Sequence, residues 1–183
     1  RCLIRAKCWK SARAGSCATK TAACNGSWNS ATGMSGGEFQ DIGFNTEGFA
    51  EGAAQDQFCD NEDCTVSILY DQSGRGNDLT VAPGGCYGGD NGAALEPDWE
   101  TDATYLPVTV AGHHVYGLYM EPHEGYRNNE AVDMPENGES QGIYMVADGS
   151  HPNLCCCCWN FGTASRDNCY LEGTGSMNSL DFG

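Results

Sequence analysis

No stretch of these 183 residues approaches the ~20 consecutive apolar residues that a membrane-spanning helix needs, so a helical span within the sequence is excluded. Basic residues are scarce: nine Lys and Arg stand against 25 Asp and Glu, a net charge of −16. That balance excludes a nucleic-acid partner, because phosphates require a basic face. Sustained helical periodicity is missing, as are internal repeats and low-complexity linkers. Gly74 and Gly76 precede no helical pattern, so no dinucleotide cofactor is implied, and no other cofactor is expected. Paired Cys-x-x-Cys motifs at zinc-ribbon spacing are absent, which disfavours a structural metal. The sequence opens on Arg1 without an initiator Met or signal peptide, and reads as a mature, processed or partial chain.

Cysteine, by contrast, is abundant at 12 residues, and the even count fits a disulfide framework in an oxidising, extracellular compartment. Asn25-Gly26-Ser27 is an N-glycosylation acceptor, which agrees with secretion. Glycine is equally prominent at 25 residues and favours short strands joined by turns. Charge is segregated along the chain. Residues 1–28 hold six of the nine basic residues and no acid; the remainder holds three against all 25 acids, a balance of −22. Two segments follow: a basic, Cys-rich stretch 1–28 and a body 29–183. The basic arm is drawn to an acidic body, its own or a neighbour's. In the second case Leu3, Ile4, Trp9 or Trp28 would be buried against another copy, giving a head-to-tail filament.

Thr65–Tyr70 alternates and is rich in β-branched residues, which predicts a strand, and Leu79–Ala82 predicts a short one. Tyr105–Val110 and His114–Met120 flank Ala111-Gly112, a hairpin signal. Gly142–Ala147 predicts a further strand, whereas 29–55 reads as an irregular loop anchored by Phe39, Phe44 and Phe49. The expected fold is an all-β sandwich or jelly roll with almost no helix.

Several groups are candidates for chemistry. Asp71, Asp78, Glu121, Glu124 and Glu130 are carboxylates of the kind glycosidases use in pairs, although in so acidic a chain most serve turns or solvent. Asp60, Glu62 and Asp63 cluster as calcium-type oxygens but lack the spacing of a helix–loop–helix calcium loop. His113 and His114 point to opposite faces of an extended segment, which disfavours joint ligation. Trp9, Trp28, Trp99 and Trp159 offer platforms for sugar rings or simply pack. The run Cys155–Cys158 allows two readings: a vicinal disulfide forming a flat apolar knob suited to a sugar face, or bonds to distant partners such as Cys86 and Cys169.

Tyr70–Thr80 (YDQSGRGNDLT), followed by Ala82-Pro-Gly-Gly85, resembles a hallmark of glycoside hydrolase family 54, the type B α-L-arabinofuranosidases. Gln55–Cys59 with Cys64, Pro107–Val110, Val115–Met120, Gly125–Ala131, Asp148–His151, Cys157–Gly162 and Gly173–Met177 follow in family order, so the resemblance is strong over about 55–183. It implies a concanavalin-like, jelly-roll sandwich and retaining release of arabinofuranose from plant polysaccharides. It implies a Cys59–Cys64 loop, a Cys8–Cys17 bridge, and a Cys157–Cys158 vicinal disulfide that, with Trp159, lines a sugar pocket. The family's nucleophile Glu and acid Asp fall beyond Gly183, so no residue here inherits a catalytic role. We therefore expect a non-catalytic extracellular module, structural or glycan-associated and able to self-assemble. The alternative is a fragment of a secreted retaining arabinofuranosidase.

Overall fold

The computed structural model describes residues 2–8, 38–60, 62–84, 96–135, 138–148, 159–164 and 177–182. Its first unit (1–84 and 96–132) is organised by a five-stranded antiparallel sheet. In chain order the strands of this sheet are β1 (Cys2–Cys8), β2 (Glu38–Gly43), β3 (Cys64–Leu69) and β4 (Leu79–Val81), closed by Tyr126–Arg127. Across the sheet the order is β2, β1, β3, β4 and then Tyr126–Arg127, so the N-terminal strand lies inside it. A helix, α1 (Gly52–Cys59), lies between β2 and β3 in sequence. The hairpin β5 (Leu106–Val110) and β6 (His113–Gly117) precedes Tyr126–Arg127, which is β7.

Alternation builds the core face. Ile4, Ala6 and Cys8 of β1 and Cys64 and Val66 of β3 point inward, with Ile42 of β2, Cys59 of α1 and Ala103. Phe58, Ala54 and Tyr126 pack against the same cluster. Thr65 to Leu69 thus form the expected strand, and β4 the expected short one. The hairpin turns at Ala111 and Gly112, both at positive φ (50° and 88°), as the mirror-image two-residue turn requires.

Three expectations are corrected. Residues 29–55 were expected as an irregular loop, yet β2 forms at Glu38–Gly43 and α1 begins at Gly52; the described residues are mostly sheet with little helix, as expected. The buried side of α1 is Gly52, Gln55 and Cys59, so it shows no apolar stripe. The Gln55 amide instead donates to the Ala103 carbonyl, which satisfies a side chain only 3% exposed. Residues 142–147 are not a strand. Ile143 and Met145 are half-buried while Tyr144 and Val146 are exposed, the alternation foreseen, but no ladder partner stands beside them among the described residues. Finally, Leu3 and Ile4 do not await a second copy: both pack within their own sheet. Arg5 pairs with Asp41 at 2.7 Å and Lys7 with Glu100 at 3.8 Å, so this stretch spends its charge on its own chain. Trp9 and Trp28 lie outside the described residues.

The second unit (85–95 and 133–183) contains a hairpin of β8 (Trp159–Ala164) and β9 (Met177–Phe182), in register from Trp159 against Phe182 to Ala164 against Met177.

Candidate functional site

Two of the family-like segments, Tyr70–Thr80 and Gly125–Ala131, meet at the β4–β7 edge of the sheet. The loop after β3 is organised around Asp71. Its carboxylate accepts from the Ser73 hydroxyl and amide, both at 2.7 Å, from the Asn77 amide at 3.0 Å and from the Arg75 amide at 3.2 Å. The Ser73 hydroxyl, then these amides, hold the Asp71 carboxyl far below the usual carboxylate range. Gly74 and Gly76 take the left-handed conformations (φ 85° and 81°) that let the chain wrap round it. Asp78 closes the loop by accepting from the Asp71 amide at 2.7 Å.

The segment Gly125–Val132 is tied to this loop at several points. Ala82 donates to the Gly125 carbonyl at 2.9 Å, and β4 pairs with β7 at Thr80–Arg127 and Val81–Tyr126. The Asn128 amide donates to the Asp78 carbonyl at 3.0 Å. Asn77 and Val132 exchange two bonds, at 2.9 and 2.8 Å. Deeper in, the Tyr126 hydroxyl donates to the Val66 carbonyl at 2.6 Å and accepts from the Thr101 amide at 2.9 Å. Sequence reading singled out the carboxylates of these motifs and missed Tyr126, Asn77 and Asn128, which lie in the same motifs and hold the two segments together.

The other candidates take local roles. Glu124 accepts from the Glu121 amide at 2.9 Å within one turn, and the Glu130 amide donates to Asn128 at 2.8 Å. Asp60 caps α1, donating its amide to the Asp56 carbonyl from a left-handed conformation. His113 stacks on Phe49 at 4.0 Å and sits 2.9 Å from Glu47, whereas His114 lies 3.3 Å from Asp56; the two reach different carboxylates. They border a cleft of about 330 Å³ at the start of α1. Trp99 is partly exposed and tilted against His123 at 5.9 Å. Burial raises the pKa of neighbouring Asp98.

Among the described residues, the His, Cys, Asp and Glu groups dense enough to hold a metal reduce to Cys8, Cys59 and Cys64. Asp60, Glu62 and Asp63 do not form such a group. Cys17, Asn25, Cys157 and Cys158 fall outside the described residues; Trp159 opens β8 immediately after the vicinal pair in sequence.

The family model for the catalytic domain of α-L-arabinofuranosidase B matches residues 10–183. The chain belongs to this family. It is 41% identical over 136 residues to α-L-arabinofuranosidase B of Emericella nidulans and 42% identical over 136 residues to a probable α-L-arabinofuranosidase B of Aspergillus flavus. Each match covers 74% of this chain and 26% of the relative. The chain thus spans about a quarter of the length of the curated relatives it matches. Two solved structures superpose with a TM-score of 0.63 at 41% identity, covering 71% of this chain and 27% of theirs. One is a mutant of a glycoside hydrolase family 54 α-L-arabinofuranosidase soaked with 4-nitrophenyl α-L-arabinofuranoside; the other is an arabinofuranosidase complexed with arabinofuranosyl-α-1,2-xylobiose.

These relatives overturn the expectation of a non-catalytic structural or filament-forming module. They are arabinofuranosidases, and over residues 2–8 the basic side chains Arg5 and Lys7 pair with Asp41 and Glu100 of the same chain.

Proposed function

We propose that this chain is part of a secreted, retaining α-L-arabinofuranosidase that acts on arabinose-containing polysaccharides of plant type. The observation that carries this reading is the family match across nearly the whole chain, supported by structural similarity to enzymes solved with arabinofuranosides. The locked loop of Asp71 and its brace from Gly125–Val132 are scaffold within this reading. The five-stranded sheet forms one layer of a concanavalin-like jelly roll. Cys157 and Cys158 form a vicinal disulfide whose flat face, with Trp159, meets the apolar side of the sugar ring. A Cys59–Cys64 bond closes the acidic loop, and Asn25 carries a glycan.

Retaining hydrolysis needs a nucleophilic carboxylate and an acid carboxyl about 5–5.5 Å apart. Asp71 does not suit either part: its carboxylate is filled by four donors of its own loop. In this reading the pair comes from the portion of the enzyme that the relatives carry and residues 1–183 do not match. The test compares the product of the complete reading frame with residues 1–183 on 4-nitrophenyl α-L-arabinofuranoside, with the product anomer followed by NMR. The complete product is expected to turn over with retention and residues 1–183 alone to be inactive. A complete product that cleaves neither the aryl glycoside nor arabinoxylan would refute the proposal.

A further inference from the structure

Trp99 stands where two short segments are tied together. Its amide donates to the His123 carbonyl at 2.7 Å, and it bridges in parallel to Glu124. Ala82, just after β4, joins the same two segments. Its carbonyl accepts from the Asp98 amide at 3.0 Å, and its amide donates to the Gly125 carbonyl at 2.9 Å. Pro97 and Pro122 stiffen the approach to each segment. Gly125 makes room beside them, because a Cβ there would overlap the Asp98 carboxylate.

The side chains on this frame are uncommitted. Trp99 is 42% exposed, and its ring meets His123 at 5.9 Å and 46°, a tilt that leaves an indole face open. By contrast, His113 lies on Phe49 at 4.0 Å and 16° and covers that ring. His123 is held at φ 71°, a left-handed conformation uncommon for a residue with a Cβ, and this sets its imidazole beside the indole. The Asp98 carboxylate is half-buried and near enough to His123 for a protonated imidazole to act on it. Among the described residues no hydrogen bond or ion pair reaches that carboxylate, and its burial raises its pKa. A sugar ring has C–H groups on its face and hydroxyls round its edge. An open aromatic face rimmed by a carboxylate and an imidazole with bonding capacity to spare is the complement of such a ring.

We propose that Trp99, Asp98 and His123 form a glycan-binding platform that seats an internal pyranose ring of a neutral polysaccharide backbone. The choice of polymer rests on the arabinofuranosidase reading; the platform goes beyond it by assigning these residues to the backbone rather than to arabinofuranose. An open face, unlike an enclosed pocket, lets the polymer run on past either side of the stacked ring. Glu96, Asp98, Glu100, Glu121 and Glu124 crowd the two segments and repel uronates, which selects a neutral polymer. The Asp98 carboxylate accepts from a ring hydroxyl, and the His123 imidazole donates to or accepts from its neighbour.

The experiment uses the product of the complete reading frame and xylopentaose, an unbranched piece of arabinoxylan backbone. This probe carries no arabinofuranose, so an arabinofuranosidase has no bond in it to cleave. The protein is labelled with fluorotryptophan, and the Trp99 fluorine resonance is assigned by its loss in Trp99→Phe. The expected result is a saturable shift of that resonance as xylopentaose is added. Affinity is read separately from the xylopentaose signals by NMR. It should weaken roughly three- to tenfold in Trp99→Ala, the range an aromatic stack supplies, and by less in Asp98→Asn and His123→Ala. If Trp99→Ala does not fold, the parent resonance and His123→Ala decide. A Trp99 resonance that does not move, or an unchanged affinity in Trp99→Ala, overturns the proposal. So does a Trp99 resonance without a solvent isotope shift in heavy water, which means that the rest of the enzyme covers the indole. Displacement of xylopentaose by polygalacturonate overturns the assignment to a neutral polymer. Turnover of 4-nitrophenyl α-L-arabinofuranoside by the parent, measured alongside, separates the two readings. Turnover without a Trp99 response refutes the platform alone, and a Trp99 response without turnover refutes the enzymatic reading alone.

Discussion

Replacing Tyr126 by Phe removes one oxygen atom at the point where the sheet, the 101–103 segment and β7 are joined. The hydroxyl donates to the Val66 carbonyl of β3 at 2.6 Å and accepts from the Thr101 amide at 2.9 Å. Thr101 is 0% exposed, so water cannot replace the lost acceptor. A buried donor left without a partner costs ~1–3 kcal/mol, and a hydrogen bond contributes ~1 kcal/mol net. The ring is retained, so the apolar contact with the core cluster survives. The expected loss is about 2–3 kcal/mol. In urea, with a slope of ~2 kcal/mol per molar, that moves the unfolding midpoint down by roughly 1–1.5 M. Tyr105→Phe is the control: Tyr105 is 62% exposed, and its substitution should stay within ~0.5 kcal/mol. A pH arm adds a second readout. Burial raises the Tyr126 pKa well above its ordinary value, partly offset by the Thr101 amide. The unfolded tyrosine ionises first, near ~10. The stabilisation is therefore complete below that pH and is lost as pH rises towards the folded value. The Phe variant should lose this part of the alkaline decline; Tyr116, pushed up to about 12 by burial and by Asp56, and Tyr70, raised by burial and by Asp41, keep their share of it. If Tyr126→Phe costs no more than Tyr105→Phe, the hydroxyl is not the joint described here.

Gly52→Ala should destabilise by ~1–3 kcal/mol in the same titration, because a Cβ there overlaps the His114 carbonyl and pushes α1 off β6. Ala111→Asn should stabilise by ~0.5–1 kcal/mol in thermal unfolding, since Ala111 holds φ 50° and Asn tolerates that conformation far better. Asp71→Asn should accelerate hydrogen exchange at the Ser73, Arg75 and Asn77 amides. In the parent protein these amides should stay protected as pH falls through the ordinary carboxylate range and open only as it approaches the depressed Asp71 value.

Legibility followed one physical property, the contrast between apolar and polar positions. Thr65–Leu69 was readable because β-branched residues alternate across a half-buried sheet, and the hairpin because Ala111-Gly112 interrupts two such runs. β2 was not readable because its first four residues are exposed and only Ile42 is buried. α1 was hidden for the opposite reason. Its inward side carries Gly, Gln and Cys, so its burial leaves no hydrophobic period to detect, and Gln55 is recognisable as a core residue only once its acceptor on Ala103 is known. Residues 142–147 show the limit of pattern reading: the alternation is present, but a strand also needs a neighbour.

The N-terminal strand gives the sharpest lesson about charge. Six basic residues without an acid across 1–28 suggested an arm seeking an acidic surface. Over residues 2–8 the surface found is the other face of the chain's own sheet. Arg5 and Lys7 alternate with Ile4, Ala6 and Cys8, and the cations that looked like a docking signal are the polar half of a strand whose apolar half is core. The Arg5 guanidinium holds the Asp41 carboxyl below its usual range, and Tyr70 adds a hydrogen bond at 2.9 Å to the same carboxylate. The Arg5–Asp41 pair is more than a third exposed and screened by solvent, so it contributes little and cannot be what holds β1 in place. The backbone ladders to β2 and β3 on both sides, together with burial of Ile4, Ala6 and Cys8, do that. Net charge along a sequence thus reports where a segment can lie against an acidic neighbour; the two-residue period beneath it decides which neighbour.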